Sequence, residues 1–271
     1  MKFWLDGRAA DSVPGDDRGL TLGDGHFTTM LVQGGEVALW PRHLARLTEA
    51  NTRLGFAQPD WAEVKAEIDA ACANVELACL RLTFTRGSAG RGYQGAWQVL
   101  PRRLMSLSPF PHHYRQWQEQ GIAAELATTC LATGGSLTGL KTLGRLEQVL
   151  LKQEAAEKGA LELIVTDGAG QIIEASASNL FLVTRDGPVV TPSLQECGIT
   201  GVMRCELIEQ LKQMGQTVVE RPVAVDELPS FDEVFITNTL MGVVPLTRIG
   251  VTEFTRRTLA DSLLESQKLW R

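Results

Sequence analysis

At 271 residues, 44% of them hydrophobic and 21% charged, the chain can bury a sizeable core and has the composition of a folded globular protein rather than a disordered one. Its formal net charge of −6 comes without any block of lysine or arginine, which argues against a nucleic-acid surface. The apolar start of MKFWLDGRAADS is broken by Asp6 and Arg8, which opposes a signal-peptide core, and no stretch approaches the roughly 20 apolar residues of a membrane span, so a cytoplasmic protein is expected.

In chain order, KFWL followed by Asp-Gly reads as a strand and turn, and HFTTMLVQ and EVALW as two strands joined at Gly34 and Gly35. A helix is predicted from Pro41, with Leu44, Leu47 and Leu54 on one side. Another starts at Asp60, with Trp61, Val64, Ile68, Cys72 and Val75 at helical spacing. ELACLRLTFT alternates, placing Ala78, Leu80, Leu82 and Phe84 on one face and Arg81 and Thr83 on the other, the pattern of a half-buried strand. Pro109 and Pro111 then interrupt the pattern, which predicts a connector at 111–116 between an N-terminal domain (1–110) and a C-terminal domain (117–271).

The second half opens with a strand in IAAELATTC. Residues 134–159, GGSLTGLKTLGRLEQVLLKQEAAEKG, read as a leucine-periodic helix with Lys141 at its mouth. Three or four short strands follow in LELIVTDGAGQIIEASASNLFLVTRDGPVVTP, then a helix from Gly201 to Met214, strands in TVVERPV and EVFITN, and a final helix from Glu253 to Leu269. The pattern is α+β, with hairpins outnumbering β-α units, and no G-x-G-x-x-G opens a helix after a strand. Five cysteines without a C-x-x-C pair and four histidines without H-E-x-x-H spacing predict neither a disulfide framework nor a metal site.

Three features point to chemistry. Lys141 at a helix start is disfavoured as an ammonium ion, as a carbonyl-reactive amine must be. Gly198, Ile199, Thr200 and Gly201 precede an amphipathic helix, so their backbone N–H groups form a seat for phosphate. Glu174 ends the apolar strand Ile172–Ile173, where a carboxylate can hold the proton of a pyridine nitrogen. Each has a plainer reading: a solvated lysine, a helix capped by Thr200, a turn carboxylate. Together they describe a site for pyridoxal 5'-phosphate.

The ordered motifs LGDGHFTTM, HLARL, TRGSAGRGY, GLKTLGRLEQVLL, EASASNLF, GITGVMR and NTLMGVVPL resemble the branched-chain/D-amino-acid aminotransferase-like enzymes, the fold type IV group of pyridoxal-phosphate proteins, essentially from end to end. Within that group they are most similar to the 4-amino-4-deoxychorismate lyases. The resemblance implies a two-domain α+β fold, with a smaller N-terminal α/β domain, a larger C-terminal domain of antiparallel and mixed β structure, and the cofactor where the two meet. It makes Lys141 the imine-forming, proton-carrying lysine and Glu174 the partner of the pyridine nitrogen. Arg46 would clamp the phosphate with the backbone of Ile199 and Thr200, and Thr239 would add a contact. Arg91 is assigned to a substrate carboxylate, with Tyr93 and Thr29 beside the substrate. In GDGHFTT, alternation leaves open whether Phe27 and Thr29 or His26 and Thr28 face the pocket. Gly144 departs from the group, since many of these lyases carry asparagine there.

The implied reaction converts 4-amino-4-deoxychorismate to 4-aminobenzoate and pyruvate, a step towards folate. The implied assembly is a homodimer acting on a small molecule, and docking with an aminodeoxychorismate synthase is left open. An aminotransferase acting on D- or branched-chain amino acids is the competing activity on the same scaffold. A binding protein without catalysis is the alternative of another class.

Overall fold

The computed structural model describes residues 2–88, 90–184, 187–266 and 270. The chain divides into two units, Met1–Phe110 with Leu140–Gly144, and Pro111–Gly139 with Arg145–Arg271.

The first unit contains β1 (Lys2–Leu5), β2 (Arg8–Ala9), α1 (Arg18–Leu22), β3 (Gly25–Gln33), β4 (Glu36–Val37), α2 (Trp40–Leu54), α3 (Trp61–Cys72), β5 (Leu77–Thr85) and β6 (Arg102–Pro109). The strands form one antiparallel sheet in the order β2-β1-β6-β5-β3-β4. Alternation decides its faces. Met30, Val32, Leu80, Leu82, Phe84, Met105 and Leu107 pack with Leu47 of α2 and Val64, Ile68 and Cys72 of α3 in one core. On the other face Phe27 lies opposite Thr83 and Thr29 opposite Arg81. The helices start as their sequences dictate: Pro41 sits in the first turn of α2, and Asp60 accepts the N–H groups of Ala62 and Glu63 at the start of α3. Gly25 is obligatory, because a Cβ there would lie 2.2 Å from the Phe84 carbonyl oxygen.

The second unit runs α4 (His113–Gln120), β7 (Ile122–Leu126), α5 (Leu146–Glu157), β8 (Glu162–Thr166), β9 (Ile172–Ala175), β10 (Asn179–Val183), β11 (Val189–Pro192), α6 (Val202–Gln213), β12 (Val218–Arg221), a 3-10 turn (Val225–Ser230), β13 (Glu233–Asn238), β14 (Gly242–Ile249), β15 (Thr252–Glu253) and α7 (Thr258–Ser266). Its mixed nine-stranded sheet has the order β12-β11-β10-β13-β14-β7-β8-β9, with β15 on β14. The pairs β11–β12, β7–β14 and β7–β8 are parallel and the others antiparallel. One apolar cluster gathers Ile164, Leu180, Leu182, Val234, Ile236 and Val244; a second joins Leu151 and Ala155 of α5 to Leu163, Val165 and Ile173. No described helix is long and apolar enough to cross a membrane.

The α+β reading agrees with this architecture, and three boundaries differ. Residues 113–116, expected inside a connector, begin α4, whose Tyr114 and Trp117 pack against the first of these two clusters; the polar residues around them hide that apolar edge in the sequence. Residues 134–145, expected to be helical, are not, and α5 starts only at Leu146. Glycines at 134, 135, 139 and 144 weaken a helix there, and residues 141–143 pair instead with the start of β3. The last helix begins at Thr258 rather than Glu253, because Thr252 and Glu253 pair with β14; the buried carboxylate of Glu233 caps it by accepting the N–H groups of Leu259 and Ala260. Residues 267–269, the expected end of that helix, lie outside the described residues.

Candidate active site

Lys141 lies in an extended segment, not at a helix mouth. Phe27 donates its N–H to the Lys141 carbonyl at 3.0 Å, Leu143 donates to Gly25 at 3.1 Å, and Thr142 bridges His26, so the segment adds a short antiparallel edge to β3. The half-buried Lys141 side chain places Nζ 4.8 Å from the centroid of the Phe27 ring, and the Arg81 guanidinium carbon stands 3.7 Å from the same centroid. In place of the helix terminus expected from sequence, the Lys141 amine has the face of an aromatic ring that it shares with the Arg81 guanidinium.

The open choice within GDGHFTT is decided by β3. His26 and Thr28 turn inward: His26 Nε2 lies 2.8 Å from Asn51 Oδ1, and Thr28 Oγ1 2.6 Å from His43 Nδ1. Phe27 and half-buried Thr29 take the other face, with Phe27 beneath Lys141. Arg46 is half-buried on α2, one turn after His43. Burial, with the nearby Arg46 charge adding to it, pushes His43 down to about 3; it brings His26 down to about 4 despite its bond to Asn51, so both imidazoles are neutral at neutral pH.

In the second unit Glu174 is buried in β9. Its Oε2 accepts the Ile199 N–H at 3.0 Å and an amide proton from Asn179 Nδ2 at 3.3 Å; the same nitrogen donates to the Ile199 carbonyl at 3.0 Å. The Thr200 N–H is donated to Gly139 at 3.1 Å. Both amides assigned from sequence to a phosphate are thus engaged within the chain. The helix they precede has Gly201 rather than Thr200 as its N-cap residue, and the first-turn N–H groups of α6 form the anion-accepting end. Thr239 is half-buried in the turn between β13 and β14, where Asn238 Oδ1 accepts the N–H groups of Leu240 and Met241. Arg145, four residues after Lys141, faces the charges of Glu174 and Glu147; burial depresses its pKa and those carboxylates oppose the shift.

Two of the three substrate assignments, Arg91 and Tyr93, fall on an exposed loop of the first unit, and the third, Thr29, on β3. Arg91 and Tyr93 are both exposed, Tyr93 at 94%. The loop is nevertheless tethered: buried Arg18 donates to the carbonyls of Gly92 and Tyr93, buried Arg86 donates to that of Ala96, and both arginines pair with Asp24. Ala89 of this loop lies outside the described residues. Gly144 is exposed, and a Cβ there would meet nothing within 4 Å, so the glycine is not imposed by crowding.

Sequence reasoning singles out Lys141, Glu174 and Arg46 but not Asn179 and Arg145, which neighbour Glu174, or Arg81, which shares the Phe27 ring with Lys141. Alternation did place Arg81 on the polar face of β5, which is the signal that could have found it.

Residues 25–249 match the family described as amino-transferase class IV. The chain is 34% identical over 251 residues to the aminodeoxychorismate lyase of Vibrio harveyi, covering 93% of this chain and 92% of that one. It is 29% identical to a putative branched-chain-amino-acid aminotransferase of Methanocaldococcus jannaschii, covering 92% and 88%. Among solved structures, the 4-amino-4-deoxychorismate lyase of Pseudomonas aeruginosa superposes with a TM-score of 0.92 at 38% identity, covering 98% of each chain.

Proposed function

Because the chain belongs to the class IV aminotransferase family, we propose that it is a pyridoxal-phosphate-dependent carbon–oxygen lyase converting 4-amino-4-deoxychorismate to 4-aminobenzoate and pyruvate. Similarity over nearly the whole chain to lyases of this name supports the activity. The residues fit the cofactor: an amine against an aromatic face, a buried carboxylate and a helix start without a side-chain cap supply the donor set it requires. When bound, the cofactor supplies an electron sink for the pair left by proton removal.

The chain's own residues do the rest. Lys141 Nζ would hold the cofactor and, as a free amine, would take the proton from the amine-bearing ring carbon of the substrate. The enolpyruvyl C–O bond then breaks, the carbocycle becomes aromatic, and a proton delivered to the departing enol completes pyruvate. Glu174, its Oε2 fixed by two donors, holds the proton on the ring nitrogen. The phosphate is taken by Arg46, the Thr200 hydroxyl and the first-turn amides of α6, with Thr239 adding a contact; Ile199 contributes by orienting Glu174. Arg91 reads a substrate carboxylate, with Tyr93 and Thr29 beside it.

The deciding assay supplies the substrate with no amino acceptor. Formation of 4-aminobenzoate and pyruvate in equal amounts is expected. Amino-group exchange with a 2-oxo acid, and no aromatic product, would transfer the assignment to an aminotransferase.

We also propose a cytoplasmic homodimer. All five cysteines are free, as in a reducing compartment. Leu146, Val149 and Leu150 lie exposed at helical spacing on α5, an apolar stripe of the kind a second copy covers. Sedimentation of the purified chain as a monomer would remove the dimer.

A further inference from the structure

We infer that Asn179 is a positioning residue whose amide fastens the Glu174 carboxylate to the Gly198–Gly201 turn, so that the partner of the ring nitrogen and the start of α6 act as one unit. The inference rests on the cofactor reading above.

Local geometry brings the parts together. Ala175 donates its N–H to the Ser178 carbonyl at 2.7 Å, a tight turn that sets the end of β9 beside the start of β10. Asn179 is buried there, and its Nδ2 donates both to Glu174 Oε2 and to the Ile199 carbonyl. The Ile199 N–H donates back to the same Glu174 oxygen, which closes a ring of three hydrogen bonds through β9, β10 and the turn.

The turn also has no room to drift. A Cβ on Gly201 would lie 1.9 Å from Asn179 Oδ1, so the amide oxygen fills the space a side chain would need. A Cβ on Gly198, whose φ is +88°, would lie 2.8 Å from both Ile173 and Leu194 and 3.5 Å from Glu174 Oε2. Rotating the carboxylate away would strip the Ile199 N–H of its acceptor, and moving the turn would strip Glu174 of a donor. In a buried site either loss is costly, so displacement at one end is carried to the other.

Consequently the two ends of the cofactor are gripped by one device. Loosening the ring partner alone would weaken pyridoxal and pyridoxal 5'-phosphate alike, and loosening the phosphate seat alone would weaken only the phosphorylated form. Loss of the shared amide changes both the preference for the phosphorylated form and the electronic environment of the ring.

The test measures equilibrium binding of pyridoxal 5'-phosphate and of pyridoxal to cofactor-stripped protein, together with the absorption spectrum of the bound cofactor, for the unsubstituted chain, Asn179→Ala, Asn179→Asp and Gly201→Ala. Asn179→Ala is expected to lower the preference for the phosphorylated form about tenfold, the scale of one lost charge-assisted hydrogen bond, and to shift the spectrum. Asn179→Asp, which sets an acceptor against two acceptors, is expected to do more. Gly201→Ala leaves the amide in the chain but pushes its oxygen aside, and shows the same paired change if Asn179→Ala fails to fold. An unchanged preference, or a change in preference without a spectral shift, would overturn the inference while leaving the cofactor reading intact. Failure of the unsubstituted chain to bind pyridoxal 5'-phosphate would overturn both.

Discussion

Lys141 is held through its main chain, whose carbonyl accepts the Phe27 N–H, while its side chain rests against an aromatic ring; Glu174 is held through its side chain, with one oxygen taking two donors in a buried setting. The difference follows from the work each group performs in the proposed reaction. A ring face orients an amine with little torsional restraint, which suits a group that must bond, let go and carry a proton. A doubly hydrogen-bonded carboxylate is fixed in place, which suits a group that must keep its charge aimed at one atom. Arg81 sharpens the first arrangement by setting a second cation on the same ring.

The strongest way to break this contrast is Lys141→Ala. It is expected to reduce formation of 4-aminobenzoate by more than about a thousandfold, since it removes both the attachment point and the base. Borohydride trapping followed by peptide mapping checks the assignment, with the label expected on Lys141. A label on Lys152 or Lys158 would move the site, although those lysines already pair with Glu162 and Glu154.

Next in size is Asp24→Ala. Asp24 receives Nε of both Arg18 and Arg86, two buried arginines that tether the loop carrying Arg91 and Tyr93. Removing the shared carboxylate leaves two buried guanidinium groups without it, at a cost of about 3 kcal/mol. Chemical denaturation measures it; a loss below about 1 kcal/mol would mean that the tether is a surface feature. Burial alone would raise the Asp24 pKa, but the hydrogen bonds and charges of Arg86 and Arg18 outweigh it and hold the carboxyl below its ordinary value. Its contribution is therefore present at neutral pH and lost in acid.

A smaller effect belongs to Phe27→Leu, which keeps an apolar side chain under Lys141 but removes the π face. About 1 kcal/mol of orientation, hence roughly a fivefold fall in kcat with cofactor binding retained, is expected. An unchanged kcat would show that the ring merely fills space.

What the sequence disclosed, and what it hid, follows the range of the interactions. The hairpin at Gly34–Gly35, the helices starting near Pro41 and Asp60, and the inward set Leu80, Leu82 and Phe84 are local patterns that burial then obeys. Lys141, Glu174 and Arg46 were visible through motif resemblance. The segment around Lys141 was misread as helix because leucine spacing continues through it, whereas its backbone partners lie in β3, more than a hundred residues earlier. Asn179 was hidden for a similar reason. An asparagine at a strand start is ordinary, and the arrival of Ile199, twenty residues on, is what makes its amide a link between Glu174 and the turn before α6.

The smallest expected effect lies far from this chemistry, at Glu154 on α5. Burial tends to raise its pKa, but Lys158, the N–H groups of Thr128 and Thr129 and the Thr129 side chain overcome that and hold the carboxyl well below the ordinary 4.5. A folded-state pKa below the unfolded one adds stability above the unfolded value and loses it as pH falls through the folded one. Glu154→Gln keeps an oxygen for one of the two threonine amides, sets an NH2 group against the other, and deletes the charge that pairs with Lys158. The substitution should lower the melting temperature slightly at pH 7, and the gap between variant and parent should narrow steadily below about pH 4.5, because the unfolded parent then takes up a proton that the folded carboxylate still excludes. A gap that stayed constant down to pH 3 would assign the stabilisation to the shape of the side chain rather than to its charge.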